Sequence, residues 1–191
     1  MPEKNKFFYQ FIKNYGESIS SLFETVPKDD LEELAAEIIR VRETKSKIAL
    51  LGNGGSAAIA NHMAVDFTKT CDVAAMTFNE TSLITCFSND YGYENWMKIA
   101  INNYVAVDDL VIIISSSGQS ENVLRAARTC NDLGVRLVTF SGFKEDNPLR
   151  SAGTINFWVD SCIYNHVEMV HHLWLVAVND YLAGIGKPWT P

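Results

Sequence analysis

Apolar positions in the first 44 residues recur at helical spacing. Between residues 5 and 25, Phe7, Phe11 and Tyr15 follow one another at steps of four, which is the period of an amphipathic helix. Pro27 and two aspartates then interrupt the pattern, as expected where one helix ends and another begins. Leucines and isoleucines recur among the charges of residues 29–44. The pattern therefore predicts two consecutive helices.

A different pattern begins at residue 45, where short continuous apolar runs end in turns rich in glycine and serine. Such runs suit strands that are buried on both faces of a parallel sheet. After each of the first two runs, a helical pattern follows directly. The expected strands are Lys45–Leu51, Leu110–Ile114, Arg136–Phe140 and Thr154–Val159, and the expected helices are Ser56–Thr68, Asn122–Leu133 and Ile163–Leu182.

Strands that alternate with helices indicate an α/β fold with a doubly wound parallel sheet. We expect a single domain over residues 1–191, with an N-terminal helical extension (1–44) and an α/β core (45–191). Ligands of such sheets bind beyond the carboxyl ends of the strands. Both glycine and serine turns follow strands, so they are the first candidates for a binding site.

Composition narrows the classes of partner. The chain has 191 residues, of which 47% are apolar, and a net charge of -7. That charge offers no general attraction to nucleic acid or to anionic membranes, so neither is expected as a partner. No apolar stretch is long enough to span a bilayer. The four cysteines are at least ten residues apart and no secretory leader is recognisable, so we expect reduced thiols and a cytoplasmic location.

The first turn, Gly52-Asn53-Gly54-Gly55-Ser56, lies between a predicted strand and a predicted helix. Glycines let the backbone approach a ligand closely, and the free N–H groups of a helix start favour an anion. The alternative is a purely structural turn that caps the helix. Ala57 stands where a dinucleotide-binding fingerprint would need its third glycine, so dinucleotide binding is disfavoured.

The second turn makes a phosphate site the favoured interpretation. Four serine hydroxyls surround Gly118, again between a strand and a helix. The lysine of a Walker loop is absent, so hydroxyls and backbone amides would hold the phosphate without a cation. Two such turns predict a small phosphorylated ligand. The candidate substrate-binding residues are Asn53, Gly54, Gly55, Ser56, Ser115, Ser116, Ser117 and Ser120, together with Asp90 as a hydrogen-bonding partner for sugar hydroxyls.

Two pairs of titratable residues sit at helical spacing. His62 and Asp66 are four residues apart on the helix after the first turn, and Glu168 and His172 are four apart on the last helix. A spacing of four places both members on one helix face. Metal ligation or acid–base chemistry is one interpretation, with His171 as an alternative to His172. The other is a helix or subunit contact that satisfies the histidines structurally.

These residues resemble the sugar isomerase (SIS) domain, and within it the phosphoheptose isomerases. The resemblance rests on the Gly-Asn-Gly-Gly-Ser-Ala-Ala run at 52–58, on His62, on Ser-Ser-Ser-Gly-Gln-Ser at 115–120 and on Asn-Asp-Tyr-Gly-Tyr-Glu at 89–94. It implies a flavodoxin-like sheet, a homotetramer with shared active sites and, in many members, zinc. The implied reaction converts sedoheptulose 7-phosphate into glycero-manno-heptose 7-phosphate for surface polysaccharides. The implied phosphate ligands are Ser56, Ser115, Ser117 and Ser120, with Ser116 nearby.

The resemblance weakens at two positions. Asp66 stands where the family has Glu, and aligning the family's last-helix His with His172 puts Tyr164 at a Gln position. We hypothesise that Glu168 replaces the missing group. His62, Asp66, Glu168 and His172 would then offer two nitrogens and two oxygens to zinc. Asp66 or Glu168 would abstract the proton, and His172 would act as the opposite acid or base.

Two other functions remain open from the sequence. One is a non-catalytic SIS protein that senses a sugar phosphate or acts as a scaffold, including the kind that binds the bacterial replication initiator. The other is isomerisation of a different phosphosugar. The departures at Asp66 and Tyr164 keep the first alternative open.

Overall fold

The computed structural model describes residues 2–184, and their side chains from residue 6 onward. Two helices precede the first strand, and strands and helices then follow one another to the end of the described chain. In chain order the elements are α1 (Pro2–Phe23), α2 (Lys28–Thr44), β1 (Lys47–Gly52), α3 (Gly54–Thr70), β2 (Ala74–Thr77), α4 (Thr81–Tyr91), α5 (Trp96–Tyr104), β3 (Leu110–Ser115), α6 (Glu121–Leu133), β4 (Arg136–Gly142), a 3-10 turn (Pro148–Ser151), β5 (Ile155–Val159) and α7 (Tyr164–Leu182).

The five strands form one parallel sheet in the order β2-β1-β3-β4-β5. This is the doubly wound, flavodoxin-like order, so the predicted fold class is confirmed. The chain leaves β1 toward one edge and returns to β3 on its other side, which makes the β1/β3 pair the point where the direction of winding reverses. Gly52 pairs with Ile114 at the carboxyl end of that pair, next to both predicted turns.

Helices cover both faces of the sheet. On one face α2, α3 and α7 pack on alternate strand residues such as Leu50 and Ile112, with the end of α1 against them. On the other face α4, α5 and α6 pack on the intervening residues, such as Leu51 and Ile113. Every residue of β3 is buried, as the continuous apolar run over Leu110–Ile114 predicted.

A buried carboxylate fixes the start of the central strands. Asp109 accepts hydrogen bonds from the N–H of Lys47 at 3.0 Å and of Ala106 at 2.7 Å, and it pairs with Lys47 Nζ at 2.5 Å. Burial raises the pKa of Asp109, but these hydrogen bonds outweigh burial and hold the pKa below its ordinary value. The charge therefore stabilises the junction of β1 and β3.

The nine predicted elements are found within a few residues of their expected bounds, and β2, α4 and α5 were not predicted. β2 has four residues and no buried one, and α4 has no buried residue either. Neither therefore carries a strong hydrophobic pattern. No helix within residues 2–184 is long and apolar enough to cross a membrane. Residues 185–191, which include Gly186 and Pro188, lie outside the described residues.

Candidate active site

A cavity of about 250 Å³ opens at the carboxyl ends of β1 and β3. Both turns singled out in the sequence contribute to it, and the start of α7 closes one side. We call it the serine cup. It is lined by Asn53, Gly54, Gly55, Ser56, Ser115, Ser116, Ser117, Ser120, Tyr164 and Glu168. The structure therefore brings together all the predicted substrate-binding residues except Asp90, which is exposed on α4 and is not among the lining residues.

The first turn is shaped by close packing of backbone on backbone. Gly54 has a φ of +54°, in the left-handed region that glycine adopts without strain. A Cβ on Gly52 would lie 2.7 Å from the Ser56 carbonyl carbon, so only glycine fits there. No side chain caps the start of α3. The first N–H groups of that helix are therefore available to an anion.

The second turn has the same features. Gly118 has a φ of +62°, and a Cβ there would collide with the side chain of Asn147. Asn147 is itself fixed, because its amide donates to the carbonyls of Gly142 and Lys144 at 3.1 and 2.8 Å. Ser120 precedes α6 without capping it. Two uncapped helix starts and a group of serine hydroxyls thus face one cavity, which disfavours the interpretation of both turns as mere caps.

An amide pair ties the two turns together. Asn53 and Asn122 exchange hydrogen bonds of 3.0 Å in both directions, and the Tyr93 hydroxyl donates to Asn53 Oδ1 at 3.2 Å. Asn53 therefore lines the cup and also holds its two turns together. Sequence reasoning missed Asn122 and Tyr93, whose only sequence signals are their positions after the serine turn and within the Asn-Asp-Tyr-Gly-Tyr-Glu segment.

Among the residues that the structure describes, no lysine or arginine lines the serine cup, and Glu168 is its one charged residue. Ser116 Oγ lies 3.5 Å from Glu168 Oε1. On the other side the carboxylate lies against Gly55, where an added Cβ would collide with it. The described lining therefore offers only neutral donors to a ligand, and the Glu168 carboxylate is a single negative charge among them.

Three other predicted residues form a hydrogen-bonded chain between α3 and α7. His62 lies 3.2 Å through Nε2 from Asp66 Oδ2, and 2.7 Å through Nδ1 from His172 Nε2. We call Asp66, His62 and His172 the imidazole chain. Half of the His62 side chain is exposed, at 51%. Burial and the neighbouring His62 lower the pKa of His172 more than Asp66 raises it. The chain therefore links a carboxylate through one imidazole to a second imidazole, an arrangement suited to moving a proton.

His171 faces the sheet instead. It is fully buried, its Nε2 lies 2.9 Å from the carbonyl oxygen of Ser141, and burial lowers its pKa to about 4. A buried neutral imidazole of this kind packs the core. Of the two neighbouring histidines, the structure therefore places His172, and not His171, beside the other predicted residues.

Comparison with known proteins agrees with this architecture. A family model described as "SIS domain" matches residues 10–142. A phosphoheptose isomerase of Aliarcobacter butzleri is 31% identical over 166 residues, which cover 83% of this chain and 86% of that protein. The chain belongs to the SIS-domain family, among the phosphoheptose isomerases. The resemblance seen in the sequence is therefore confirmed.

Other members of the family support the same assignment. A phosphoheptose isomerase of Aneurinibacillus thermoaerophilus is 33% identical over 144 residues, covering 69% of this chain and 72% of that protein. The solved structure of a phosphoheptose isomerase from Neisseria gonorrhoeae superposes with a TM-score of 0.82 at 23% identity, covering 92% and 99% of the two chains. The fold is thus shared over nearly the whole chain.

The structure also shows where the two residues lie at which the resemblance to the phosphoheptose isomerases weakens. Asp66 lies in the imidazole chain, and Tyr164 lines the serine cup beside Glu168. Tyr164 also packs edge-on against Phe143, with ring centroids 4.7 Å apart. Its hydroxyl gives the cup one more neutral group that can donate or accept.

The predicted zinc ligands do not form a ready metal site in one chain. Both ring nitrogens of His62 already have partners, and Glu168 lies in the serine cup apart from the imidazole chain. Within the described residues, no group of three or more His, Cys, Asp or Glu side chains is arranged to hold a metal ion. His62 and His172 would have to separate before an ion could sit between them.

Proposed function

We propose that this chain is an aldose–ketose isomerase that converts sedoheptulose 7-phosphate into glycero-manno-heptose 7-phosphate. One observation carries the proposal: a serine cup suited to a phosphate opens beside a chain of imidazoles and a carboxylate on the same two helices. The phosphoheptose isomerases to which it is similar carry the activity in their names. The product would serve heptose synthesis for surface polysaccharides.

The phosphate would be held without a cation. Hydroxyls of Ser56, Ser115, Ser117 and Ser120, with Ser116 nearby, and the N–H groups of two uncapped helix starts converge on the cup. Backbone amides at helix starts supply both donors and a favourable dipole to an anion. We propose that Asn53 and Asp90 add hydrogen bonds to sugar hydroxyls, with Asp90 reaching the sugar from outside the cup.

The imidazole chain is placed for chemistry at the other end of the sugar. α3 and α7 run in the same direction, as shown by their successive contacts Gly55–Glu168, His62–His172 and Thr70–Asn179. With a rise of 1.5 Å per residue, His62 lies about 9 Å along α3 from Ser56. That distance is comparable with the length of an extended heptose.

Isomerisation moves a proton between two neighbouring carbons, which requires a base and an acid near the enediolate. We propose that His172 exchanges the proton with substrate, and that Asp66 acts through His62 to hold the imidazoles in orientation. Glu168 is the second candidate for proton abstraction. His172→Gln and Glu168→Gln test these roles by NMR detection of product, and full turnover in both variants would discard them.

The substrate itself is tested by a panel of phosphorylated ketoses, measured by turnover and by thermal shift. We expect sedoheptulose 7-phosphate to be converted fastest. Preferred conversion of a shorter ketose would instead assign another phosphosugar. Stabilisation by sugar phosphates without turnover of any would indicate a non-catalytic sugar-phosphate-binding or scaffold protein.

Zinc binding by His62, Asp66, Glu168 and His172 stays a prediction, and no step above depends on it. When bound, zinc would polarise the substrate oxygens. Metal analysis of the purified and the zinc-reconstituted protein tests it, with His62→Gln as the matched variant. Zinc in the parent protein and less in the variant would show that His62 and His172 separate to admit the ion. Absence of zinc from both the purified and the reconstituted parent protein would show that the zinc prediction is wrong.

We also propose that the chain forms a homo-oligomer, a tetramer as in the resemblance, and that it works in the cytoplasm. α1 exposes an apolar face that includes Phe7, Phe8 and Phe11, at 78%, 64% and 54% exposure. Apolar patches of that kind commonly mark association surfaces. Phe8→Glu should lower the mass measured by light scattering, whereas Lys13→Glu on the same helix should not. A monomeric parent protein would contradict the proposal.

A further inference from the structure

Glu168 places a negative charge inside a cavity built for an anion. Its carboxylate lines the serine cup, lies 3.5 Å from Ser116 Oγ and leaves no room for a side chain on Gly55. Every other lining group is a backbone amide, an aliphatic hydroxyl, a phenol or an amide side chain. These neutral groups can donate to any anion. Glu168 is the exception, because a carboxylate only accepts hydrogen bonds.

Two consequences follow for a phosphate ester in the cup. A second anionic group next to the phosphate would approach the carboxylate, and within residues 2–184 no lining residue is a cation that could neutralise either charge. Like charges in a partly desolvated site repel strongly. A hydroxyl at the same place would instead donate to Glu168 and satisfy its oxygens. The hydroxyls and N–H groups of both turns offset the charge of the phosphate itself, but a second anion has no such donors left, so Glu168 distinguishes a hydroxyl beside the phosphate from a second anion there.

We propose that Glu168 is a specificity-determining residue. It admits phosphomonoesters that carry a hydroxyl beside the phosphate-bearing carbon, and it excludes those that carry a carboxylate or a second phosphate there. The inference rests on the proposed phosphate-binding function of the cup, and it adds the class of ester that the cup selects. Polyhydroxylated sugar phosphates meet the requirement, whereas phosphorylated sugar acids and bisphosphates do not.

The test compares two small esters that differ only at the carbon in question. 2-Hydroxyethyl phosphate carries a hydroxyl where phosphoglycolate carries a carboxylate. Calorimetric titration of the full chain with each ester gives a ratio of affinities, and inorganic phosphate reports on the cup alone. We expect the parent protein to bind 2-hydroxyethyl phosphate at least about 10-fold more tightly than phosphoglycolate.

In Glu168→Gln the ratio should fall to about 3-fold or less, mainly because phosphoglycolate binds better once the charge is removed. Glu121→Gln is the matched control, since Glu121 starts α6 near the second turn but lies outside the cup lining and pairs with Arg125. It removes the same net charge and should leave the ratio as in the parent. Circular dichroism confirms that each variant is folded.

Equal binding of the two esters by the parent protein would overturn the inference without any variant. So would an unchanged ratio in Glu168→Gln, or an equal fall of the ratio in Glu121→Gln, which would assign the discrimination to overall charge. A parent protein that binds neither of the two esters, nor inorganic phosphate, would be a different result. It would overturn the phosphate-binding function of the cup itself, and the inference with it.

Discussion

The serine cup and the imidazole chain lie side by side but are built in different ways. The cup is made of backbone and short side chains at two adjacent strand ends, fixed by Gly52, Gly118 and the Asn53–Asn122 pair. The imidazole chain is made of long side chains on two helices, and half of the His62 side chain is exposed. The geometry of the cup is set by the backbone of two turns, whereas that of the imidazole chain is set by the side chains that two helices carry.

This difference separates binding from chemistry. The cup follows from the topology, because β1 and β3 are neighbours at the point where the winding reverses. The imidazole chain follows from helix packing and can change without disturbing the cup. Substitutions in the cup should therefore act on phosphate affinity, whereas substitutions in the imidazole chain should act on turnover.

The largest effect is expected on turnover, from replacement of His62, the central member of the imidazole chain. His62→Gln removes the ring that joins Asp66 to His172, so kcat should fall by about 100-fold or more, as for lost acid–base catalysis. KM should stay within about 3-fold, because no cup residue is altered. His166→Gln is the control, since His166 is on α7 but packs against Tyr15. A rise in KM as large as the fall in kcat would mean that the two regions are not separable.

The next largest effect is expected from a substitution that shifts the backbone of the first turn of the cup. Gly52→Ala places a Cβ 2.7 Å from the Ser56 carbonyl carbon, so the turn must shift and the start of α3 with it. Affinity for inorganic phosphate should fall by about 10- to 100-fold, corresponding to about 1–3 kcal/mol of local strain. Gly16→Ala is the control, because nothing lies within 4 Å of its added Cβ. Unchanged phosphate affinity in calorimetry would show that the turn does not hold the phosphate.

A single hydroxyl should have a smaller effect. Ser117→Ala removes one of the cup's neutral donors and should raise KM for a sugar phosphate by about 10-fold, the usual loss for a hydrogen bond to a charged group. Ser18→Ala is the matched control, because Ser18 is exposed on α1 and does not line the cup. Steady-state kinetics measures both. A loss confined to kcat in Ser117→Ala would place that serine with the imidazole chain instead.

The smallest effect on binding and on turnover is expected from a substitution of Asp109, which lies at the junction of β1 and β3. Asp109→Asn should lower the free energy of unfolding by about 2 kcal/mol, with kcat and KM nearly unchanged. Because the pKa of Asp109 is lowered in the folded protein, its stabilisation is present above the ordinary pKa of 3.8 and is lost as pH falls through the lower folded value. Urea unfolding from about pH 6 down to about pH 2 measures this loss, and an identical acid dependence in the variant would contradict it.

The contrast between the two regions also explains what the sequence could predict. Strand β1 with its glycines and strand β3 with its serines are local patterns, and their juxtaposition follows from the rule that ligands bind at strand ends. The eight turn residues of the cup were therefore predicted as neighbours, and the structure places them together, whereas Glu168 had been predicted beside the histidines. Tyr164 was recognised only as a departure from the family pattern, because its place in the cup depends on how α7 crosses the sheet.

Side-chain pairing between distant elements was harder to predict. The spacing of His62 and Asp66 indicated one helix face, but nothing local indicates that Nδ1 of His62 meets His172, 110 residues away. The same holds for the Asn53–Asn122 pair. Asp90 belongs to the Asn-Asp-Tyr-Gly-Tyr-Glu segment but lies outside the cup lining, so its contact with sugar stays a prediction.

The most direct test follows sedoheptulose 7-phosphate by NMR in deuterium oxide. The account predicts that the parent protein forms the aldose, with solvent deuterium entering at C2 as the abstracted proton exchanges, and that His172→Gln binds the ester but forms product at least about 100-fold more slowly. If the parent protein broadens the phosphorus resonance, and therefore binds the ester, but yields neither aldose nor deuterium exchange, the chain is not an isomerase of this sugar and the central claim is wrong.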